Sequence, residues 1–342
     1  MEPRQLYCGV DLHSSNGVYV ITDQQDKLLL RKRLPNRLPV VLETLQPFHK
    51  DLKVVAVEST YNWYWLVDGL MEHDYPVRLA NPAAIDQYDG IKQADDLTDA
   101  AFLARLARLN ILPTGYIYPK EDRPIRDLLR RRSLLVRHRT GIIQSLQNMA
   151  MRQTGQSLGW RSIRKLSDEE RVELLGTDDC LLFVTTQQVD LIDQLGKTIK
   201  QFEAKVLEHA QLKPAYAFLL TMPGVGLILA MTIMLETGDI ARFEKVGDYT
   251  SYCRCVRARC SSNGKSKGQN NGKNGNAYLS WAFVEAVHHA IRTCPQAKAF
   301  YDRKVSRRNG ALATKALAAK WSKAAYYIMK RQVGFDLKRV FG

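Results

Sequence analysis

Two short apolar runs in the first sixty residues each end on a carboxylate. Tyr7-Cys8-Gly9-Val10 leads into Asp11, and Val54-Val55-Ala56-Val57 leads into Glu58. Runs of this length read as buried strands. Asp96 and Asp99 follow, three apart, at the start of a helix-like stretch, Leu97 to Leu109. Side chains at i and i+3 share one helical face. Two strand ends and one helical face can therefore bring four carboxylates together. Such a set of hard oxygen ligands holds Mg²⁺ or Mn²⁺. Taken singly, the four are ordinary: helix N-terminal acids favoured by the dipole, and polar strand ends. Asp95, four residues before Asp99, is a rival for the place of Asp96.

The surrounding pattern predicts an α/β unit over residues 5–110. Its expected order is βββαβαβα, with strands at Gln5–Asp11, Val18–Thr22, Lys27–Arg33, Lys53–Glu58 and Pro76–Ala80. Asn16-Gly17 predicts the hairpin turn between the first two strands. That order is the one an RNase H-like domain uses, although fold order alone does not establish function. The expected divisions are 1–115, the RNase H-like α/β domain; 116–212, a coiled-coil middle; and 213–342, a mostly helical C-terminal domain.

In the middle region, Leu128, Leu135, Ile142 and Met149 recur every seven residues. Ile192, Leu195, Ile199, Phe202 and Val206 follow a 3-4-3-4 spacing. Both are a/d seams, able to pair as a hairpin or between subunits. Gly155 to Thr177 reads as a connector.

Charge is distributed unevenly. The chain of 342 residues has a net charge of +15, yet residues 1–110 sum to −3 and residues 251–342 to +16. A basic block of this size favours a polyanionic partner through counterion release. Arg254, Arg257 and Arg259 precede a Gly/Asn/Lys-rich loop, 261–276, which carries Lys265, Lys267 and Lys273. Cations and glycines together suit a phosphate backbone. Ser261 and Ser262 at the head of the loop are candidate nucleophiles toward phosphorus. Upstream, Pro223-Gly224-Val225-Gly226 interrupts a long uncharged run, Pro214 to Leu235. That turn argues against a membrane span and for a helix-hairpin-helix-like element, with Gly224 and Gly226 offering backbone N–H groups to phosphate. Cys253, Cys255 and Cys260 lack the paired spacing of a zinc ribbon. No secretory signal is visible, so reduced thiols and a cytoplasmic setting are expected.

These residues resemble a known family. Gly9-Val-Asp-Leu-His, Val57-Glu-Ser-Thr and Asp95-Asp-Leu-Thr-Asp-Ala are similar to segments of the DEDD insertion-sequence transposases, a group that includes the Piv-type DNA invertases. Ser261-Ser-Asn-Gly-Lys and Lys273-Asn-Gly-Asn-Ala-Tyr-Leu-Ser-Trp-Ala-Phe are similar to that family's second domain. The resemblance implies that residues 1–115 are a RuvC-like domain with a metal tetrad of Asp11, Glu58, Asp96 and Asp99, and that residues 213–342 are a transposase domain with a nucleophilic serine. By position in the motif, it assigns the nucleophilic serine to Ser262, with Ser261 the alternative. It further implies a bacterial, nucleoid-associated DNA recombinase that works as a dimer or tetramer on donor and target DNA, guided by a bridge RNA. A RuvC-like nuclease using water, an actin-like ATPase and a non-catalytic nucleic-acid-binding protein are the competing expectations. Asp11-Leu-His-Ser-Ser lacks the Gly/Thr-rich phosphate turn that an ATPase requires.

Overall fold

The computed structural model describes residues 4–85, 96–167, 169–170, 172, 178–210, 214–256, 261–262, 265–266, 274–307 and 309–342. These form two compact units. The first is Met1–Ile117; the second takes up the bulk of Tyr118–Gly342.

The first unit is a five-stranded mixed sheet with strand order β3-β2-β1-β4-β5. The strands are β1 (Leu6–Leu12), β2 (Asn16–Thr22), β3 (Leu28–Pro35), β4 (Leu52–Glu58) and β5 (Val77–Ala80). β1 is central, antiparallel to β2 and parallel to β4. Helices α1 (Leu38–Leu45), α2 (Tyr64–Glu72) and α3 (Asp96–Arg108) complete the unit. Side chains alternate between the faces of a strand. Leu6, Cys8, Val10 and Leu12 accordingly pack in one cluster with Val41 and Leu45 of α1 and Leu66 and Leu70 of α2. Odd-numbered positions of β1 face α3, as do Val54 and Ala56 of β4, which cluster with Leu103, Leu106 and Ala107.

One contact fixes how closely α3 lies on the sheet. A Cβ built on Gly9 would fall 1.9 Å from Ala100 O and 2.7 Å from Ala104 N. Only hydrogen fits there. Ala100 and Ala104 are themselves completely buried, so small residues on both sides let two backbones touch.

The Asn16-Gly17 turn is corrected by the structure. Asn16 and Gly17 are the first residues of β2, and the chain reverses one step earlier, where His13 N donates to Asn16 O at 2.8 Å. The turn therefore occupies Ser14-Ser15.

The second unit opens with two long helices, α4 (Arg123–Thr154) and α6 (Asp179–Ala210), which pair with each other within the chain. Their tight seam places Leu146 and Ala150 with Val189 and Ile192, while Leu129 and Val206 join the larger core. The expected heptad positions Ile142 and Met149 are only partly buried. The connector holds a short helix, α5 (Trp160–Lys165), whose Ile163 fills the seam.

Helices α7 (Pro214–Leu219), α8 (Leu227–Thr237), α9 (Val246–Tyr252), α10 (Ala277–Thr293), α11 (Pro295–Val305), α12 (Gly310–Arg331) and α13 (Leu337–Phe341) build the remaining core around Trp321 and Phe283. The uncharged run becomes α7, a turn and α8, every residue of α8 from Leu229 to Thr237 being buried. Among the described residues, no helix is long and apolar enough to cross a membrane. Ser261–Ser262 and Lys265–Ser266 form a two-residue ladder, β6–β7, in which Ser262 is opposite Lys265.

Gly9→Ala should lower stability to urea by about 1–3 kcal/mol, because α3 must lift from β1. Gly141→Ala should stabilise by roughly 0.5–1 kcal/mol, as its helical Cβ meets no atom within 4 Å. Equal midpoints for the two variants would contradict the packing described.

Candidate active site

The sheet and α3 together position the acidic residues. Asp11 and Glu58 lie on adjacent parallel strands whose register pairs Val10 with Val57. Both occupy the α3-facing side, where Asp11 is 6% exposed. Asp96 and Asp99 occupy the first turn of α3, next to the Ala100 that touches Gly9. A residue with a longer side chain at position 9 would move both acids away from Asp11.

The four carboxylates are brought into one electrostatic neighbourhood. Glu58 is hydrogen-bonded to Asp11 and feels the charges of Asp11 and Asp99. Burial, that hydrogen bond and those charges push its pKa up to about 7. Asp96 is held below the usual carboxylate range, first by its hydrogen bond from Arg33. Arg33 Nη2 donates to Asp96 Oδ2 at 2.6 Å and its Nη1 to Asn16 Oδ1 at 2.8 Å. Asp95 lies outside the described residues.

His13 is a member of the cluster that the sequence reading missed. Its Nε2 lies 3.3 Å from Asp11 Oδ2 and 3.2 Å from Asp96 Oδ2. Asp11, His13 and Asp96 could hold a metal ion, their ligand atoms all lying within 4.8 Å of one another. Two amides fix the loop that carries it: Asn36 Nδ2 and Asn62 Nδ2 each donate to His13 O at 2.9 Å. The signal was present in the sequence, since His13 is two residues beyond Asp11, just past the end of β1.

The donor set suits a divalent cation. Burial, with the neighbouring carboxylates of Asp11 and Asp99, drives Glu58 toward its protonated form when no cation is bound. His13 Nε2 is buried and faces two carboxylate oxygens, those of Asp11 and Asp96. A hard cation would satisfy both conditions.

In the second unit, the predicted nucleic-acid residues divide. Arg257, Arg259, Lys267 and Lys273 lie outside the described residues, and Ser261, Ser262 and Lys265 are placed by their backbone in β6–β7. Arg254 has φ +53° and donates through Nη2 to Gly275 O at 3.0 Å, tying the two ends of the loop together. Gly224, with φ +79°, backs onto α10: a Cβ there would fall 2.1 Å from Ala286 O. Packing accounts for that glycine. Gly226 begins α8 with open space around its Cα. Cys253 and Cys255 are buried thiols, and burial raises the pKa of each.

A buried ionic network holds the downstream end of this loop. Glu236, 2% exposed, closes the apolar helix α8. It accepts from Arg126 Nη2 at 3.0 Å, Arg130 Nε at 2.6 Å and Asn276 Nδ2 at 2.8 Å. Asn276 Oδ1 in turn accepts from Tyr278 N and Leu279 N and caps α10. Burial alone would raise the Glu236 pKa, but Arg130 and Arg126 outweigh it and the net shift is downward. The sequence offered a clue: a lone acid ending a buried apolar helix requires a cation.

Glu236→Ala should cost about 3–5 kcal/mol, because it strands the buried Arg126 charge. Glu236→Gln, which keeps the shape, should cost less. Thermal unfolding of both variants checks this; a melting point for Glu236→Ala equal to that of the parent would refute the network's role.

Comparison with known proteins places the chain in a family. Residues 8–154 match the transposase family model of the DEDD IS110 type, and residues 216–302 match the model described as the transposase IS116/IS110/IS902 family. The chain is also similar to an uncharacterised 43.6 kDa protein of insertion element IS110 from Streptomyces coelicolor, with 25% identity over 140 residues. That match spans 41% of this chain and 34% of the relative, so the chain aligns with about a third of the relative's length. With one model covering the acidic sheet and the other the helical core, the chain belongs to the IS110-type DEDD transposases.

Proposed function

We propose that this protein is a DNA transposase that cuts and rejoins strands at a metal site formed by Asp11, Glu58, Asp96 and Asp99, using a serine nucleophile. The observation that carries the reading is the joining of Glu58 to Asp11 beside Asp99, with His13 bridging Asp11 toward Asp96. The strand order β3-β2-β1-β4-β5, with acids on one face of β1, β4 and α3, supports assignment as an RNase H-like, RuvC-like domain.

The four carboxylates would hold Mg²⁺ or Mn²⁺, which supplies charge stabilisation for phosphoryl transfer when bound. His13 is a further candidate ligand or proton carrier. Arg33 fixes Asp96 through its guanidinium, and Asn36 and Asn62 hold the His13 loop in place.

Ser262, with Ser261 as the alternative, is the proposed nucleophile. Its Oγ forms a bond to phosphorus as the bond from phosphorus to the 3′ oxygen breaks. The serine proton passes to a base, and the departing 3′ oxygen takes up a proton. A 3′ hydroxyl from another strand then attacks the phosphoserine, restoring the serine and joining the strands. No ATP is required, since one phosphodiester is exchanged for another. The reaction requires the serine and the carboxylates to converge, within one subunit or between subunits. Arg257, Arg259, Lys265, Lys267 and Lys273 would hold the DNA backbone. Family resemblance supports donor and target DNA as substrates, a homo-oligomer as the working form and a bridge RNA as the guide.

A water-using nuclease is the second reading, favoured by the completeness of the acidic cluster and His13 within the first unit. Trapping separates the two. With DNA carrying the recognition ends and Mg²⁺, denaturing gels should show a protein–DNA adduct in the parent protein. Ser262→Ala should remove the adduct while DNA binding persists, and Asp11→Asn or Glu58→Gln should lower its yield by at least about 10²-fold. Cleavage without any adduct in the parent would favour water as the nucleophile. An undiminished adduct in Ser262→Ala would move the role to Ser261 or elsewhere.

A further inference from the structure

A groove at the far C-terminal end is used by none of the chemistry above. It lies between the last turns of α12, the segment after it and α13, and encloses about 270 Å³. Its walls combine four cations, Lys320, Lys323, Arg331 and Arg339, with apolar surface from Tyr327, Ile328, Val333 and Phe335.

Three observations distinguish this groove from an ordinary solvated face. Charge is the first. Residues 300–342 contain eleven Lys and Arg against two acids, Asp302 and Asp336. Asp336 is already committed, accepting from Lys338 N at the start of α13 and pairing with Arg339 at 3.3 Å. Aromatic exposure is the second. Tyr327 is 41% exposed and Val333 42%, so an open ring lies beside an open apolar residue. The third is the seating of cations over rings. The Arg331 guanidinium lies 4.7 Å from the Tyr327 centroid, and Lys320 Nζ lies 5.3 Å and 5.4 Å from those of Phe300 and Phe341. The Lys320 pKa is lowered by burial and by the charges of Lys323, Arg303 and Lys304, and its Nζ donates to Val340 O at 2.6 Å.

Cations along a track beside an accessible ring form the arrangement that grips a flexible polynucleotide: phosphates pair with the cations and an unstacked base lies on the ring. We propose that this groove binds single-stranded DNA, with Lys323 and Arg331 on the backbone and Tyr327 stacking a base. Duplex DNA, its bases already stacked, would use the cations alone. The inference rests on the transposase reading for its choice of DNA and supplies a contact separate from both the loop 261–276 and the acidic site. It suits a reaction in which strands are separated and exchanged.

The test is fluorescence anisotropy of the full-length protein with labelled oligothymidine. Lys323→Glu/Arg331→Glu should weaken binding by at least about tenfold and reduce the slope of log affinity against log salt by roughly 1.4, two contacts at about 0.7 each. Tyr327→Ala should weaken oligothymidine roughly tenfold and duplex DNA hardly at all. Both positions are exposed, so melting points should hold; a Lys323→Gln/Arg331→Gln variant serves if charge reversal lowers them. Binding is measured with EDTA present, so it does not depend on the metal site, and failure of this groove is separated from failure of the catalytic reading. Parental affinity in both groove variants would overturn the inference. So would tighter binding of oligouridine RNA that the same variants abolish. A shift of the groove variants from oligomer to monomer, with DNA binding intact, would make the groove a surface for a second copy of the chain and equally overturn it.

Discussion

Gly9 has no side chain, and the backbone of Ala100 occupies the place where one would be. Much of the proposed chemistry depends on that contact. Two of the four acids, Asp96 and Asp99, are on a helix, while Asp11 and Glu58 are on strands. Carboxylates separated by an ordinary helix-to-sheet spacing would not feel one another strongly. The glycine, with Ala100 and Ala104 opposite it, brings α3 onto β1 closely enough for Asp99 to influence Glu58 and for His13 to bridge Asp11 and Asp96. The pleat of β1 supplies the remainder, setting Gly9 and Asp11 on one side, and the turn after the strand carries His13.

The cluster concentrates like charge on purpose-built positions, and it relaxes that charge in two ways. Arg33 takes up Asp96 at the rim, and Glu58 shares a hydrogen bond with Asp11 in the interior. A bound cation would take over both functions. The second unit handles buried charge by the opposite route. Glu236 is surrounded by Arg126, Arg130 and Asn276, so its charge is fully compensated and joins three helices instead of reacting. Similar side chains thus serve two ends, and the number of neighbouring cations separates them.

How much of this was legible in the sequence depended on the range of the signal. Short apolar runs and their terminal acids were local, and they placed Asp11, Glu58, Asp96 and Asp99 correctly on strands and helix. The two long helices were legible from their heptads, although the tight seam falls on Leu146 and Ala150 where Ile142 and Met149 were expected. The turn before β2 was misplaced because Asn16-Gly17 is a strong hairpin signal, yet Asn16 is instead needed in the strand to hold Arg33. Glu236 was missed because its partners are distant in sequence; His13 stands two residues from Asp11, but its second partner, Asp96, is brought to it only by the packing of α3. Arg126 is more than a hundred residues from Glu236, and no local pattern links them. Gly224 owes its lack of a side chain to close packing on α10, which the local sequence does not show, while contact of its backbone N–H with phosphate remains a proposal.

Crystals of the protein soaked with Mn²⁺, measured for anomalous scattering, test the metal site most directly. A peak within about 2.0–2.3 Å of carboxylate oxygens from Asp11, Glu58 and the Asp96–Asp99 pair is the expected result. Manganese ordered elsewhere, with these carboxylates still hydrogen-bonded to one another and no peak between them, would contradict it.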